Sequence, residues 1–182
     1  MTGNKNKFQE AQLILMEYDL ELEMENTKIP EIQSNDIEII AKTSVIEAKK
    51  RVSGSIIVED AGLFIKKLNG FPGPYSSYVQ KTLGCKGILK LLEGVEERTA
   101  EFKSAVAFIK DTATPKVKIF HGVINGEISK EMRGKQGFGF DPIFIPNQLD
   151  RTFGEIRVKE KSKYSHRAMA LKGFASWLNA NT

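Results

Sequence analysis

Two adjacent carboxylates, Glu59 and Asp60, follow a short run of β-branched residues in the first half of the sequence. The run Ile56, Ile57 and Val58 predicts a strand that is buried on both faces. Free charges cannot follow such a strand into an apolar interior, so we expect it to stop here, with both acids at a rim. Successive strand side chains point to opposite faces, and of the two we favour Asp60 as a metal-binding or catalytic carboxylate. An ordinary acidic strand end is the alternative.

The N-terminal segment TGNKNK offers a second kind of chemistry, the binding of phosphate oxygens. This small-polar turn leads into a helical pattern with apolar residues on one face. The free N–H groups of the helix start, the cations of Lys5 and Lys7, and the side chains of Thr2 and Asn4 could all donate to phosphate. A capped surface helix with solvated lysines explains the same residues.

A late stretch, GFGFDPIF, suits a flat ring that bears nitrogen atoms. Its glycines alternate with Phe138 and Phe140 before Asp141. A nucleobase that stacks on either ring would gain about 1 to 3 kcal/mol, and Asp141 could accept a hydrogen bond from a ring N–H. The alternative is that both rings belong to the core and that Asp141 begins a turn before Pro142.

The stretch EKSKYSHR places cations at the predicted start of a helix. Ser165 is a suitable N-cap, so His166 and Arg167 would lie in the first turn, with Lys161 shortly before. Cations oppose the helix dipole at this end, and a bound anion or polar ligand would offset that cost. A solvated basic helix end is the competing interpretation.

The remaining pattern predicts the elements around these stretches. Asp19 to Met24 alternates like an edge strand, and a helix follows in which Asn35 and Glu38 have the spacing of a capping box. Glu38 could therefore be a cap or a metal ligand. Two strands, Glu101 to Lys110 and Val117 to Val123, precede an Asn-Gly pair at 125 and 126 that indicates a hairpin into a third strand, Glu127 to Ser129. We expect His121, in the second strand, to pack or hydrogen-bond locally.

Length and composition predict one domain over residues 1–182. A chain of this size buries a substantial core, and its single cysteine excludes an internal disulfide. We see no secretory segment and no apolar run long enough to span a bilayer, so a cytoplasmic protein without membrane contact is expected. The formal charge of +4 is compatible with an anionic partner, although scattered surface lysines are the favoured explanation.

Taken together, TGNKNK, EDAGL with FPGPYSS, GFGFDPIF and EKSKYSHR resemble the inosine triphosphate pyrophosphatase family, in family order along nearly the whole chain. The resemblance implies an α/β fold, elongated and two-lobed, around a long mixed β-sheet flanked by helices, usually as a homodimer. It also implies a Mg²⁺-dependent enzyme that hydrolyses deaminated purine nucleoside triphosphates such as ITP, dITP and XTP to the monophosphate and pyrophosphate.

The family pattern also implies which residues act. It makes Asp60 the general base and, with Glu38, a ligand of Mg²⁺. The implied substrate-binding residues are Thr2, Gly3, Asn4, Lys5, Asn6, Lys7, Ala61, Phe138, Gly139, Phe140, Asp141, Lys161, His166 and Arg167.

The sequence departs from the family pattern in two places. Ala61 stands where the family commonly has Ser or Thr, so a contact there must use the backbone. The strand that precedes the TGN loop in the family is expected to be missing at the N-terminus.

Two other functions remain open. The first is a related nucleotide pyrophosphatase that acts on modified pyrimidine or other nucleotides. The second is a basic nucleic-acid-binding protein that uses its cations together with Phe138 and Phe140. We favour a purine nucleoside triphosphate as the partner, without stable binding of nucleic acid.

Overall fold

The structure, a computed structural model, describes residues 2–181 as a mixture of helices and one sheet. The five strands have the order β2-β1-β3-β4-β5, and the pairings at both edges of the sheet, β1 with β2 and β4 with β5, are antiparallel. The α/β class is confirmed. The elements are α1 (Lys5–Met16), α2 (Ile37–Lys49), β1 (Ile56–Ile65), β2 (Pro72–Gly73), α3 (Ser76–Thr82), α4 (Gly84–Leu91), β3 (Thr99–Ile109), β4 (Val117–Ile128), β5 (Phe144–Pro146), α5 (Val158–Lys161) and α6 (His166–Asn179).

The chain forms two compact units, each with its own hydrophobic core. Unit 1 comprises the described residues up to Asp60, Ser104–Gly122 and those from Arg167 onward, and its core joins residues of α1, β3 and α6. Unit 2 comprises Ala61–Lys103 and Val123–His166, and its core includes Phe102, Phe144 and Phe153. The single-domain organisation over residues 1–182 stays a prediction.

Strand β1 does not stop at its two acids, as the sequence predicted. It runs for ten residues, from Ile56 to Ile65, so Glu59 and Asp60 lie in its middle rather than at a rim. The strand can continue because Leu63 and Phe64 pair with β2, and because Leu63 and Ile65 are fully buried. A charged residue is tolerated in mid-strand when cations reach it, and for Glu59 they do.

Asp19 to Met24 was predicted as an edge strand, and this is wrong. Helix α1 is followed by a turn in which Asp19 has a φ of 57°, and the next residues form no strand. The alternation in the sequence has another cause, since Leu20 and Leu22 pack against the core of unit 1. The alternation of apolar residues therefore indicated burial here, but not hydrogen bonding to a neighbouring strand.

The hairpin predicted at Asn125 and Gly126 is also wrong. Both residues lie inside β4, which continues to Ile128. Gly126 pairs with Pro146 of β5, and a Cβ atom at this position would lie 2.2 Å from the carbonyl oxygen of Ile145. The glycine is therefore needed for close approach of the neighbouring strand rather than for a turn.

The helices that carry the candidate residues begin close to where the sequence predicts. Asn4 caps α1 by accepting from the backbone N–H groups of Asn6 and Lys7. The cap of α2 is Asp36, whose Oδ1 accepts from the N–H of Glu38 at 2.8 Å, so the capping box of Asn35 and Glu38 is wrong. Helix α6 begins at His166, as the sequence predicts, and its inner face buries Leu171, Phe174 and Ala175. Within residues 2–181, no helix combines the length and the apolar character needed to cross a membrane.

The contact of β1 with β2 should make Gly62 intolerant of any side chain. A Cβ at Gly62 would lie 2.2 Å from the carbonyl oxygen of Gly73. Gly62→Ala should therefore lower the free energy of unfolding by about 1 to 3 kcal/mol. Gly173→Ala is the matched control, because its Cβ would meet only Phe120 at 3.9 Å and a helix interior favours alanine. Urea unfolding measures both; equal stability of the two variants would contradict the prediction.

Candidate functional site

The N-terminal loop and the start of α1 present a cradle of polar groups in unit 1. Asn4 Oδ1 lies 3.0 Å from the N–H of Asn6 and 3.2 Å from that of Lys7, and Thr2 Oγ1 accepts from the N–H of Asn4 at 3.1 Å. Gly3, Asn4, Lys5 and Asn6 are exposed. The loop lies at the positive end of the dipole of α1, a helix of twelve residues, and lysines flank Asn6 on both sides. Both features favour the binding of phosphate.

Four charged side chains of unit 1 form a contiguous cluster behind this loop. Arg167 donates from Nη1 to Glu10 Oε2 and from Nε to Glu59 at 3.0 Å. Glu59 also accepts from Ser104 Oγ at 2.8 Å, and its Oε2 lies 3.5 Å from Nζ of Lys7. The cluster thus joins α1, β1, β3 and α6 through one carboxylate.

Arg167 is not the solvated helix-end cation that was the alternative interpretation. Only 2% of its surface is exposed. Burial alone would lower the pKa of the guanidinium, but the charges and hydrogen bonds of Glu59 and Glu10 outweigh it, so the pKa is raised above its ordinary value. Arg167 is therefore charged at physiological pH.

The two predicted metal ligands, Asp60 and Glu38, both lie in unit 1. Asp60 is half-buried in β1, and strand alternation directs it to the face opposite Glu59. Glu38 lies in the first turn of α2, where its Oε2 is 3.3 Å from His121 Nε2, with both side chains about half exposed. His121 is thus an exposed neighbour of Glu38 in this unit.

The donors of unit 1 are of the kind that Mg²⁺ prefers. Magnesium is held by oxygen ligands, usually one or two carboxylates completed by water and substrate phosphates. Glu38 and Asp60 supply two such carboxylates, and neither is fully buried. Among residues 2–181, no group of three or more His, Cys, Asp or Glu side chains could hold a metal ion. This set fits an ion held jointly with phosphate rather than one held in a protein cage.

In unit 2, the glycine-rich loop is fixed by a buried ion pair. Nζ of Lys161 lies 2.7 Å from Asp141 Oδ2, and each of these residues is 2% exposed. The same oxygen accepts from the N–H of Phe138 at 2.8 Å, while the Lys161 cation lies 5.0 Å from the centre of the Phe138 ring. Asp141 is thus a structural acceptor in this loop, and Phe138 is the partly exposed ring.

Two predicted substrate contacts of unit 2 are buried in its core. Phe140 is 3% exposed among apolar residues, so its ring is not presented for stacking and a ligand would reach its backbone. His166 is also 3% exposed and stacks on Phe102, with ring centres 4.7 Å apart. Gly139 and Ala61 are partly buried, and Ala61 lies in β1.

The single cysteine supports the glycine-rich loop from α4. Sγ of Cys85 donates to the carbonyl oxygen of Gly139 at 3.4 Å. Burial, with a contribution from the charge of Asp141, raises the pKa of the thiol to about 11. The thiol is therefore neutral at physiological pH and acts as a small buried hydrophobe.

Sequence reasoning missed Glu10 and assigned Glu59 no role in the site. Glu10 is 4% exposed and precedes Ile14 by one helical turn, so it lies on the inward stripe of α1. An acid on an apolar stripe needs a buried cation, and that signal was present in the sequence. Nothing local in the sequence shows that this cation is Arg167.

The candidate residues therefore fall into two sets. The set in unit 1 consists of a helix start that suits an anion and of the paired charges behind it. The set in unit 2 is an aromatic, glycine-rich loop. Each set lies within its own unit of this α/β protein. The model of the Ham1 family matches residues 1–177, and the chain belongs to this family. The family predicted from the four motifs is confirmed.

Individual relatives match over nearly their full length. A dITP/XTP pyrophosphatase of Methanothermobacter marburgensis is 49% identical over 181 residues, which cover this whole chain and 95% of that protein. That of Methanopyrus kandleri is 49% identical over 180 residues, covering 99% of this chain and 95% of that protein. A HAM1 protein structure from Coxiella burnetii superposes with a TM-score of 0.80 at 29% identity, covering 98% of this chain and 96% of that one.

The buried pair in unit 2 should be important for stability. Lys161→Met leaves the carboxylate of Asp141 buried without its cation, which should cost about 3 to 5 kcal/mol in the free energy of unfolding. Lys135→Met removes an exposed lysine of the same loop and should stay within about 0.5 kcal/mol of the unaltered protein. Urea unfolding compares the two, and a loss in Lys161→Met no larger than in Lys135→Met would show that the pair is not needed.

Proposed function

We propose that this protein hydrolyses deaminated purine nucleoside triphosphates, namely ITP, dITP and XTP, to the monophosphate and pyrophosphate. The observation that carries the proposal is the match over the whole chain to relatives named dITP/XTP pyrophosphatases. The helix start of unit 1 and the aromatic loop of unit 2 support it, because a nucleotide needs both an anion site and a site for a flat ring. Such an enzyme removes damaged nucleotides from the pool.

The phosphate chain would be bound by unit 1. Lys5 and Lys7 supply two cations, and Thr2 a hydroxyl, at the positive end of the dipole of α1, all suited to phosphate oxygens. Mg²⁺ held by Glu38 and Asp60 would neutralise charge on the phosphoryl oxygens. Asp60 would take the proton of the attacking water as its oxygen bonds to phosphorus and the bridge to pyrophosphate breaks.

The base would be recognised by unit 2. Phe138 provides the ring for stacking, while Lys161 and Asp141 hold that ring and its loop in place. The keto oxygen of hypoxanthine or xanthine needs an N–H donor, which loop backbone groups can supply. Adenine has an amino group at that position, so the donor would stay unpaired, and such a mismatch can discriminate by orders of magnitude.

The family resemblance supports two further features of the protein. We propose a homodimer in the cytoplasm, in agreement with the family and with a sequence that has one cysteine. The native mass of the purified protein, measured at several concentrations, tests the homodimer directly.

The proposed activity can be tested with a panel of nucleotides. With Mg²⁺ present, ITP, dITP and XTP should each give the monophosphate and pyrophosphate, and ATP and GTP should react far more slowly. Release of inorganic phosphate, or equal rates for ITP and ATP, would contradict the proposal. A preference for dUTP would favour the pyrimidine alternative. Salt-dependent oligonucleotide binding without hydrolysis would favour the nucleic-acid-binding alternative.

The role of Asp60 leads to a sharper expectation. Asp60→Asn keeps the shape but removes the base, and kcat for ITP should fall by at least about a hundredfold with the fold intact. Asp36→Asn is the matched control in the same unit, because asparagine caps a helix as well as aspartate does, and its activity should stay within about twofold. Activity of Asp60→Asn near that of the control would remove Asp60 from the mechanism.

A further inference from the structure

The four-charge cluster of unit 1 has no surplus cation. Lys7 and Arg167 carry two positive charges, Glu10 and Glu59 carry two negative ones, and the sum is zero. Glu59 is the carboxylate that contacts both cations. An anion that arrives at the helix start therefore meets a lysine whose charge is already compensated. It must compete with Glu59 for that lysine.

The two cations are held very differently. Arg167 is buried and bound by both carboxylates, at 3.0 Å from Nε to Glu59. The Nζ of Lys7 lies 3.5 Å from Glu59 Oε2, beyond the usual range for a hydrogen bond, and its side chain is 20% exposed. Lys7 is thus the member of the cluster that can leave. Lys7 lies in the first turn of α1, so its side chain can turn from Glu59 toward a phosphate bound at the helix start.

Glu59 loses little when Lys7 moves away. Ser104 Oγ at 2.8 Å and Arg167 Nε at 3.0 Å continue to satisfy the carboxylate. The remaining ions, Arg167 with Glu10 and Glu59, then carry a net charge of −1, and this charge attracts Lys7 back once the anion has left. The cost of leaving Lys7 unpaired is avoided in both states.

We propose that Glu59 is a positioning residue that acts through Lys7. It holds the lysine while the phosphate loop is empty, yields it to the bound triphosphate, and takes it back as pyrophosphate leaves. This inference rests on the proposed function. Its consequence is that Glu59 weakens the binding of the anionic product and so speeds its release.

A purely structural role for Glu59 predicts the opposite result. If the carboxylate only braced Arg167 and β1, removing it would loosen the helix start and weaken anion binding. If it competes for Lys7, removing its charge frees the lysine and should strengthen anion binding. The sign of the change separates the two roles.

The measurement is the dissociation constant of pyrophosphate, obtained by calorimetry on the full chain at one fixed Mg²⁺ concentration and low salt. Glu59→Gln should bind pyrophosphate about fivefold more tightly than the unaltered protein, and added salt should reduce this gain. Asp111→Asn removes the same charge from a separate pair with Lys49 and should leave the constant unchanged. In a Lys7→Met background, the gain from Glu59→Gln should shrink, because there is no lysine to release.

Each outcome decides the matter. Unchanged or weaker pyrophosphate binding by folded Glu59→Gln overturns the inference, as does a gain that Asp111→Asn shares or that persists fully without Lys7. If Glu59→Gln does not fold, Glu59→Asp replaces it. Aspartate is one methylene shorter, which moves the carboxylate away from Lys7, so this variant should bind pyrophosphate about twofold more tightly. An unchanged dissociation constant overturns the inference. The proposed function fails separately, if the unaltered protein does not release pyrophosphate from ITP.

Discussion

A charge in a protein interior needs a partner, and both candidate sets depend on this constraint. Arg167 and Lys161 are each 2% exposed, and an unpaired ion at such a depth costs several kcal/mol. Unit 1 meets the requirement with Glu10 and Glu59, and unit 2 meets it with Asp141. Because these partners lie on different elements, the pairs also hold helix α1 of unit 1 and the glycine-rich loop of unit 2 in place.

The parts of the fold that depend on residues close together in sequence were predictable. The cap of α1, the start of α6 and the helical stripes follow from residues close together in sequence. The full course of β1 was not predictable, because Glu59 is compensated by Arg167, 108 residues further along the chain. The pair Asn125 and Gly126 failed for a similar reason, since contact with β5 overrides a local preference for a turn.

The candidate site shows a comparable division. Motifs named the residue types that would serve phosphate and base, and the structure gathers Lys7 with Arg167 and Phe138 with Asp141 and Lys161. The motifs did not reveal how deeply each side chain is buried. Phe140, Lys161 and Arg167 lie in the interior, so their contributions pass through neighbours as well as through direct contact. Burial is a property of the whole fold, and a motif of eight residues does not contain it.

The chemistry of Cys85 has a practical consequence for work with this protein. It is the only cysteine in the chain, it is buried, and the pKa of its thiol is raised to about 11. Maleimide and disulfide reagents react with the nucleophilic thiolate, which is scarce at such a site at neutral pH. A cysteine introduced on the surface, for instance at Lys135, can therefore be labelled with a fluorophore or spin probe while the native residue stays in place. Site-specific labels for spectroscopy can thus be attached without first replacing Cys85.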